Sequence, residues 1–109
     1  MNFKTSELFS KQLKKLSKKY RNIKKDLLKF MNDFDEIHQN SISIKTNIFK
    51  VRLKNSDKNK GKSSGYRLIS YLAIVENELH LLYIYDKSKL ANVTEKEVDE
   101  FITKQIGED

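Results

Sequence analysis

A chain of 109 residues with 22 Lys and Arg against 15 Asp and Glu carries a net charge of +7, which bounds it to one domain with one modest core and points to nucleic acid or another polyanion as partner. The absence of Cys excludes a disulfide framework and a thiolate metal site, and it agrees with a reducing compartment. No apolar run approaches the roughly 20 residues needed to span a bilayer, and the N-terminus lacks the apolar stretch of a signal peptide. A soluble, cytoplasmic protein with no membrane partner is expected.

In chain order, a short strand is expected at Asn2–Lys4. Phe9, Leu13, Leu16 and Tyr20 then recur at helical spacing, while Lys11, Lys14, Lys15, Lys18 and Lys19 fill the remaining turns. This predicts an amphipathic helix with a basic outer side, capped by Ser6. A second helix is predicted from Asn22 to about Ile37, with Ile23, Leu27, Phe30, Met31 and Phe34 on its apolar stripe. Neither Gly nor Pro marks the turn at 20–22, so one long helix is the alternative to the preferred hairpin. Residues 38–47 read as a polar link. His38 lies there and His80 in a strand, and two histidines without Cys do not suggest a metal site.

Strands are predicted at about Ile48–Lys54, Tyr66–Val75 and Leu79–Tyr85, the last two joined by Glu76-Asn77-Glu78 as a hairpin. Between the first two, Asn55–Ser64 reads as an exposed loop carrying Lys58, Lys60 and Lys62. Thr94-Glu95-Lys96-Glu97 forms a capping-box pattern before Val98, Phe101, Ile102 and Ile106, which predicts a terminal amphipathic helix. The order implies a single α+β domain over residues 1–109: an N-terminal helical hairpin packed on a small antiparallel β-meander, with a C-terminal helix.

The charge is unevenly placed along these elements. Residues 1–30 hold ten cations and two acids, 31–44 three acids and no Lys or Arg, 45–70 eight cations and one acid, and 71–109 four cations and nine acids. The positive field therefore belongs to the helical region and the first two strands. Period-two alternation puts Phe49, Val51 and Leu53 on one strand face and Lys50, Arg52 and Lys54 on the other. Like charges in a row on a strand face need solvent or an anionic partner. The row reads either as an ordinary wet strand face that discourages edge pairing or as a phosphate-binding surface.

Phe49-Lys50-Val51-Arg52-Leu53, then Gly61-Lys62-Ser63-Ser64-Gly65-Tyr66-Arg67-Leu68-Ile69-Ser70-Tyr71, then Leu81-Leu82-Tyr83-Ile84-Tyr85-Asp86-Lys87-Ser88 resemble bacterial toxins of the RelE/ParE superfamily, most closely the HigB-like branch. The Phe9…Leu13-Lys14-Lys15-Leu16…Lys19-Tyr20 pattern and the closing helix fit the same family, so the resemblance covers nearly the whole chain. It implies a RelE-like fold and the toxin of a type II toxin–antitoxin pair, a ribosome-dependent endoribonuclease that cuts mRNA in the A site of the 70S ribosome. Such toxins use the RNA 2′-hydroxyl as nucleophile on the adjacent phosphate, giving a 2′,3′-cyclic phosphate and a free 5′-hydroxyl, and need no metal or other cofactor. A cognate antitoxin, typically a small DNA-binding protein encoded nearby, is the implied protein partner.

The resemblance also distributes roles. Arg67 falls on the arginine of the Gly-Tyr-Arg motif and would hold the scissile phosphate, because a planar guanidinium grips two oxygens. Lys50 and Arg52 match the preceding strand cations, as base or charge stabiliser, and Lys87 falls near the basic residue that contacts the phosphate or leaving group. Relatives place a tyrosine where this chain has Ala91-Asn92-Val93, so Tyr85 or Tyr83 would supply ring stacking or proton chemistry. Lys54, Lys58, Lys60, Lys62 and Tyr66, with Lys14, Lys15 and Lys18 on the first helix, are the candidate RNA and ribosome contacts. Three alternatives stand beside it: a non-catalytic nucleic-acid-binding module accounts for the same charge, a gyrase-targeting ParE-like toxin shares the fold although the strand cations favour RNA cleavage, and the departure at Ala91-Asn92-Val93 admits a decayed toxin that only binds protein.

Overall fold

The computed structural model describes residues 1–34, 42–58, 65–90 and 94–105. In chain order the elements are β1 (Asn2–Thr5), α1 (Glu7–Ser17), α2 (Ile23–Asn32), β2 (Ile42–Lys45), β3 (Ile48–Leu53), β4 (Tyr66–Ala73), β5 (Glu78–Asp86), a 3₁₀ turn at Lys87–Lys89, and α3 (Glu95–Gln105). The fold is α+β, with two N-terminal helices, a mostly antiparallel five-stranded sheet and a C-terminal helix.

The strand order is β1-β5-β4-β3-β2. β2 to β5 form the antiparallel meander, whereas β1 runs parallel to β5. Two features depart from the expected three-stranded meander. Ile42–Lys45, inside the stretch read as a polar link, is a strand that pairs with β3. The short N-terminal strand joins the same sheet, which makes the sheet mixed. Its register depends on Ser6, whose N–H donates to Leu81 O at 3.1 Å and whose hydroxyl donates to Leu82 O at 3.0 Å. The same hydroxyl accepts from Phe9 N at 3.0 Å, so the helix cap and the strand junction are one residue.

The helical region is a hairpin, not one long helix. Lys19 and Tyr20 both donate to Leu16 O, at 3.0 and 2.8 Å, which closes α1, and Asp57 accepts from the Asn22 backbone and side chain at 2.9 and 3.0 Å. α2 ends at Asn32, with the Asp33 N–H returning to Lys29 O; residues 35–37, where the helix was expected to continue, lie outside the described residues. Both hairpin turns of the meander carry an Asn at positive φ, Asn47 at 61° and Asn77 at 54°, a conformation that short polar side chains tolerate best.

Strand alternation sorts the core onto two sides of the sheet. Val51, Leu53, Tyr66, Leu68, Leu81 and Ile84 face α1 and α2, which contribute Phe9, Ile23, Leu27 and Phe30. Ile48, Ile69 and Tyr85 pack with Ile102 of α3 on the other side. Gly65, at the start of β4, lies against the end of β3, where an added Cβ would meet Leu53 O at 2.1 Å and Asn55 N at 3.0 Å. Backbone atoms cannot yield as a flexible side chain can. Gly65→Ala is therefore expected to lower the unfolding free energy by about 1–3 kcal/mol in urea titrations followed by circular dichroism; an unchanged midpoint would show that β3 and β4 separate freely there.

Candidate RNA-cleavage site

The register of the meander brings the cations of the sequence motif together. Arg52 of β3 is the direct partner of Arg67 of β4, and Arg67 is the direct partner of Tyr85 of β5. Arg52, Arg67 and Tyr85 thus form one row across three strands, with Lys50 one pleat away on the same face of β3. Two arginines directly opposite each other repel. The structure resolves that repulsion with α3.

Glu95 and Asp99 are four residues apart and share a helix face with Val98 and Ile102, so the apolar stripe that docks α3 also delivers two carboxylates to the sheet. Glu95 Oε1 accepts from Arg67 Nε at 2.8 Å and lies 3.1 Å from Lys50 Nζ. Asp99 Oδ2 accepts from Lys50 Nζ at 2.6 Å, and its Oδ1 accepts from the Tyr85 hydroxyl at 3.4 Å. Arg67 Nη1 also donates to Tyr66 O at 3.2 Å. Arg67 is consequently only 1% exposed, and the Lys50 side chain 13%. Thr94 and Glu97 close the capping box at the start of α3 by reciprocal bonds of 2.8 and 3.1 Å.

Proton affinities follow from this packing. Burial pushes the Glu95 carboxyl up, but the hydrogen bond and charge of Lys50 and the charge of Arg67 outweigh it, and Glu95 sits below the ordinary glutamate value. Burial pushes the Tyr85 phenol up, and the charges of Asp99 and Glu95 push it further, so it stays protonated.

The remaining predicted residues divide by position. Arg52, Lys54, Lys14, Lys15 and Lys18 are exposed, and Arg52 makes no ion pair with a described residue. Lys87 is half-buried in the 3₁₀ turn, where its N–H donates to Gly65 O at 3.2 Å. Tyr66 is fully buried on the helix side of the sheet, against Tyr20, and presents no ring to stack on a base. Tyr83 packs partly buried beside the α3-side cluster. Lys60 and Lys62 lie outside the described residues.

Lys58 is bound within the protein. Its Nζ reaches Asp86 Oδ1 at 3.1 Å and Ser88 Oγ at 2.6 Å. Asp86, buried at the end of β5, also accepts from Tyr20 Oη and from Ser88 N and Oγ. Burial raises the Asp86 carboxyl, and the bonds from Tyr20, Ser88 and Lys58 more than reverse this. Burial and the bond to Asp86 push the Tyr20 phenol up to about 12. Asp86, Glu95 and Asp99 are the site-region residues that sequence reasoning missed. The acid spacing at 95 and 99, beside apolar 98 and 102, was the available signal.

The nearest cleft, about 240 Å³ between β2 and α3, is lined by Ile44, Lys96, Asp99, Glu100 and Thr103. Its acids do not suit a phosphate. No protein-family model matches the chain, and no curated protein matches it significantly.

The sign of the pH dependence is set by Glu95. A carboxyl with a lowered folded-state value contributes stability that is present above its usual 4.5 and is lost as pH falls through the folded value. Glu95→Gln should cost about 1–2 kcal/mol at neutral pH, discounted for the partial exposure of its side chain, and should converge with the parent once pH falls below the lowered folded-state value of Glu95. Urea titrations across pH check this; equal stability of the two proteins at pH 7 would contradict it.

Proposed function

We propose that this chain is the toxin of a type II toxin–antitoxin pair in the RelE/ParE superfamily, HigB-like branch, and that it cleaves mRNA in the ribosomal A site. The single observation that carries the reading is the row of Arg52, Arg67 and Tyr85 with Lys50 beside it, on a sheet face separate from the helical hairpin. The element order, two helices before the meander and one after, also supports it.

In the proposed reaction the RNA 2′-oxygen attacks the adjacent phosphorus, its proton passes to a base, and the bond to the 5′-oxygen breaks as that oxygen takes a proton. A 2′,3′-cyclic phosphate and a 5′-hydroxyl result. Arg67 would grip two phosphorane oxygens with its planar fork. Lys50 and Arg52 would divide the roles of base and charge stabiliser, and Tyr85 or Lys87 would serve the leaving oxygen. No cofactor enters. The cations line no deep pocket, so the ribosome would have to hold the message in its reactive geometry. The partners are mRNA on the 70S ribosome and a cognate antitoxin.

A second reading is favoured by one observation, the near-complete burial of Arg67: Arg67 anchors α3, and the exposed lysines bind RNA without cutting it. Mapping mRNA 5′ ends on translating ribosomes separates the two. Under the cleavage reading the parent produces new ends inside the A-site codon and cuts naked RNA far more slowly. Exposed Arg52→Ala lowers the rate about 100-fold with an unchanged melting temperature, and Arg67→Ala abolishes cutting. RNA binding without new ends, in parent and variants alike, selects the second reading.

A further inference from the structure

We propose that α3 is a displaceable internal plug, in which Glu95 and Asp99 occupy on Lys50 and Arg67 the anion positions that RNA phosphates would take. The ligand named here rests on the RNA-cleavage reading; the competition between helix and anion follows from the geometry alone.

Carboxylate oxygens lie 2.6 and 3.1 Å from Lys50 Nζ and 2.8 Å from Arg67 Nε, the distances a phosphate oxygen adopts on the same donors. While α3 is docked, Arg67 at 1% exposure has no open path to a ligand. Docked helix and bound phosphodiester therefore exclude each other.

The attachment of α3 suits release. Ile102 is its one buried apolar side chain among the described residues, whereas Phe101 is 56% exposed. The helix-side core holds thirteen buried residues and the α3-side cluster four, of which Ile102 alone comes from α3. Of the three helices α3 has the least apolar anchorage, Ile102 with Val98 beside it against Phe9, Leu13 and Leu16 of α1 and four apolar residues of α2, and a weakly anchored element opens before the core does. Its capping box is satisfied by its own residues, so leaving the sheet does not orphan its first turn. Departure would leave Arg52 and Arg67 opposed, with Lys50 beside them and the carboxylates of Glu95 and Asp99 withdrawn. A polyanion stabilises that open state and α3 stabilises the closed one, so the apparent affinity for RNA is reduced by the fraction of molecules with the site open. An anchor that never opens would have the same static geometry but would not compete with RNA.

The test uses the full chain and a 2′-O-methyl RNA oligonucleotide, which can bind but has no 2′-hydroxyl to react. Fluorescence anisotropy at fixed salt should give Glu95→Gln/Asp99→Asn about tenfold or more tighter binding than the parent. Adding Arg67→Ala should erase the gain. Glu7→Gln/Glu76→Gln changes the net charge equally at exposed positions outside α3 and should gain far less. Should the double variant fold poorly, amide hydrogen exchange on the parent decides: the RNA should raise exchange across α3 and leave α1 and α2 unchanged. Unchanged or slowed α3 exchange, or equal gains in both double variants, would overturn the plug. If α3 competes as expected but ribosome-bound message stays uncut, the toxin reading fails and the plug stands; cutting that needs Arg67 without any α3 response is the reverse.

Discussion

Burying a guanidinium is costly unless an acid goes with it, and the sheet face beneath α3 is organised by that constraint. Arg67 lies opposite Arg52 in the ladder and one pleat from Lys50, so the meander register alone would collect three positive charges. Glu95 bridges two of them and Asp99 takes the second bond to Lys50. With little apolar area on α3, these bonds set where the helix docks and how it is turned. The hairpin side has the opposite balance. There Phe9, Ile23, Leu27 and Phe30 supply the docking, at about 1.5–3 kcal/mol for each fully buried side chain, and the lysines of α1 remain at the surface.

This division changes what the net charge means. Lys50, Lys58 and Arg67 each have an internal acid partner, so among the described residues the far field comes mainly from the helices and from exposed Arg52 and Lys54. Two acids of the C-terminal segment, Glu95 and Asp99, which in sequence look like part of a separate negative tail, are counter-charges of the β3–β4 cations. Steering of a polyanion would begin on the outer side of α1, while specific phosphate contacts would need the sheet.

Local pattern made much of the fold legible. Ser6 caps α1, the period-two alternation of β3 sorts Lys50 and Arg52 away from Val51 and Leu53, and Thr94 with Glu97 starts α3, as their sequence patterns imply. What escaped depends on distant partners. β2 is four residues long and its Ile42 and Ile44 alternate too briefly to stand out from a polar stretch. β1 was legible as a strand, yet its parallel pairing with β5 joins residues some 76 apart in the chain, and no local signal encodes such a contact. The pairing of Glu95 with Arg67 escaped for the same reason: each acid was visible as a helix residue, and only the docking of α3 shows which cation it meets.

The Gly65-Tyr66-Arg67 and Tyr85-Asp86-Lys87 segments are best understood as two interleaved patterns. Gly65 permits the close approach of β3, Tyr66 fills the helix-side core, and Asp86 ties Tyr20 of the helical hairpin to Lys58 and Ser88 at the strand ends. Because neighbouring strand residues point to opposite faces, these structural positions leave Arg67 and Tyr85 on the α3 side, in register with each other. The Tyr20–Asp86 bond and the Lys87 N–H bond to Gly65 O fix the relative positions of the β4 start and the β5 end. A motif that looks wholly chemical in sequence therefore has one half that holds the strand ends together and another half that meets α3. Any substitution in the first half would disturb the row of Arg52, Arg67 and Tyr85 without touching a cation.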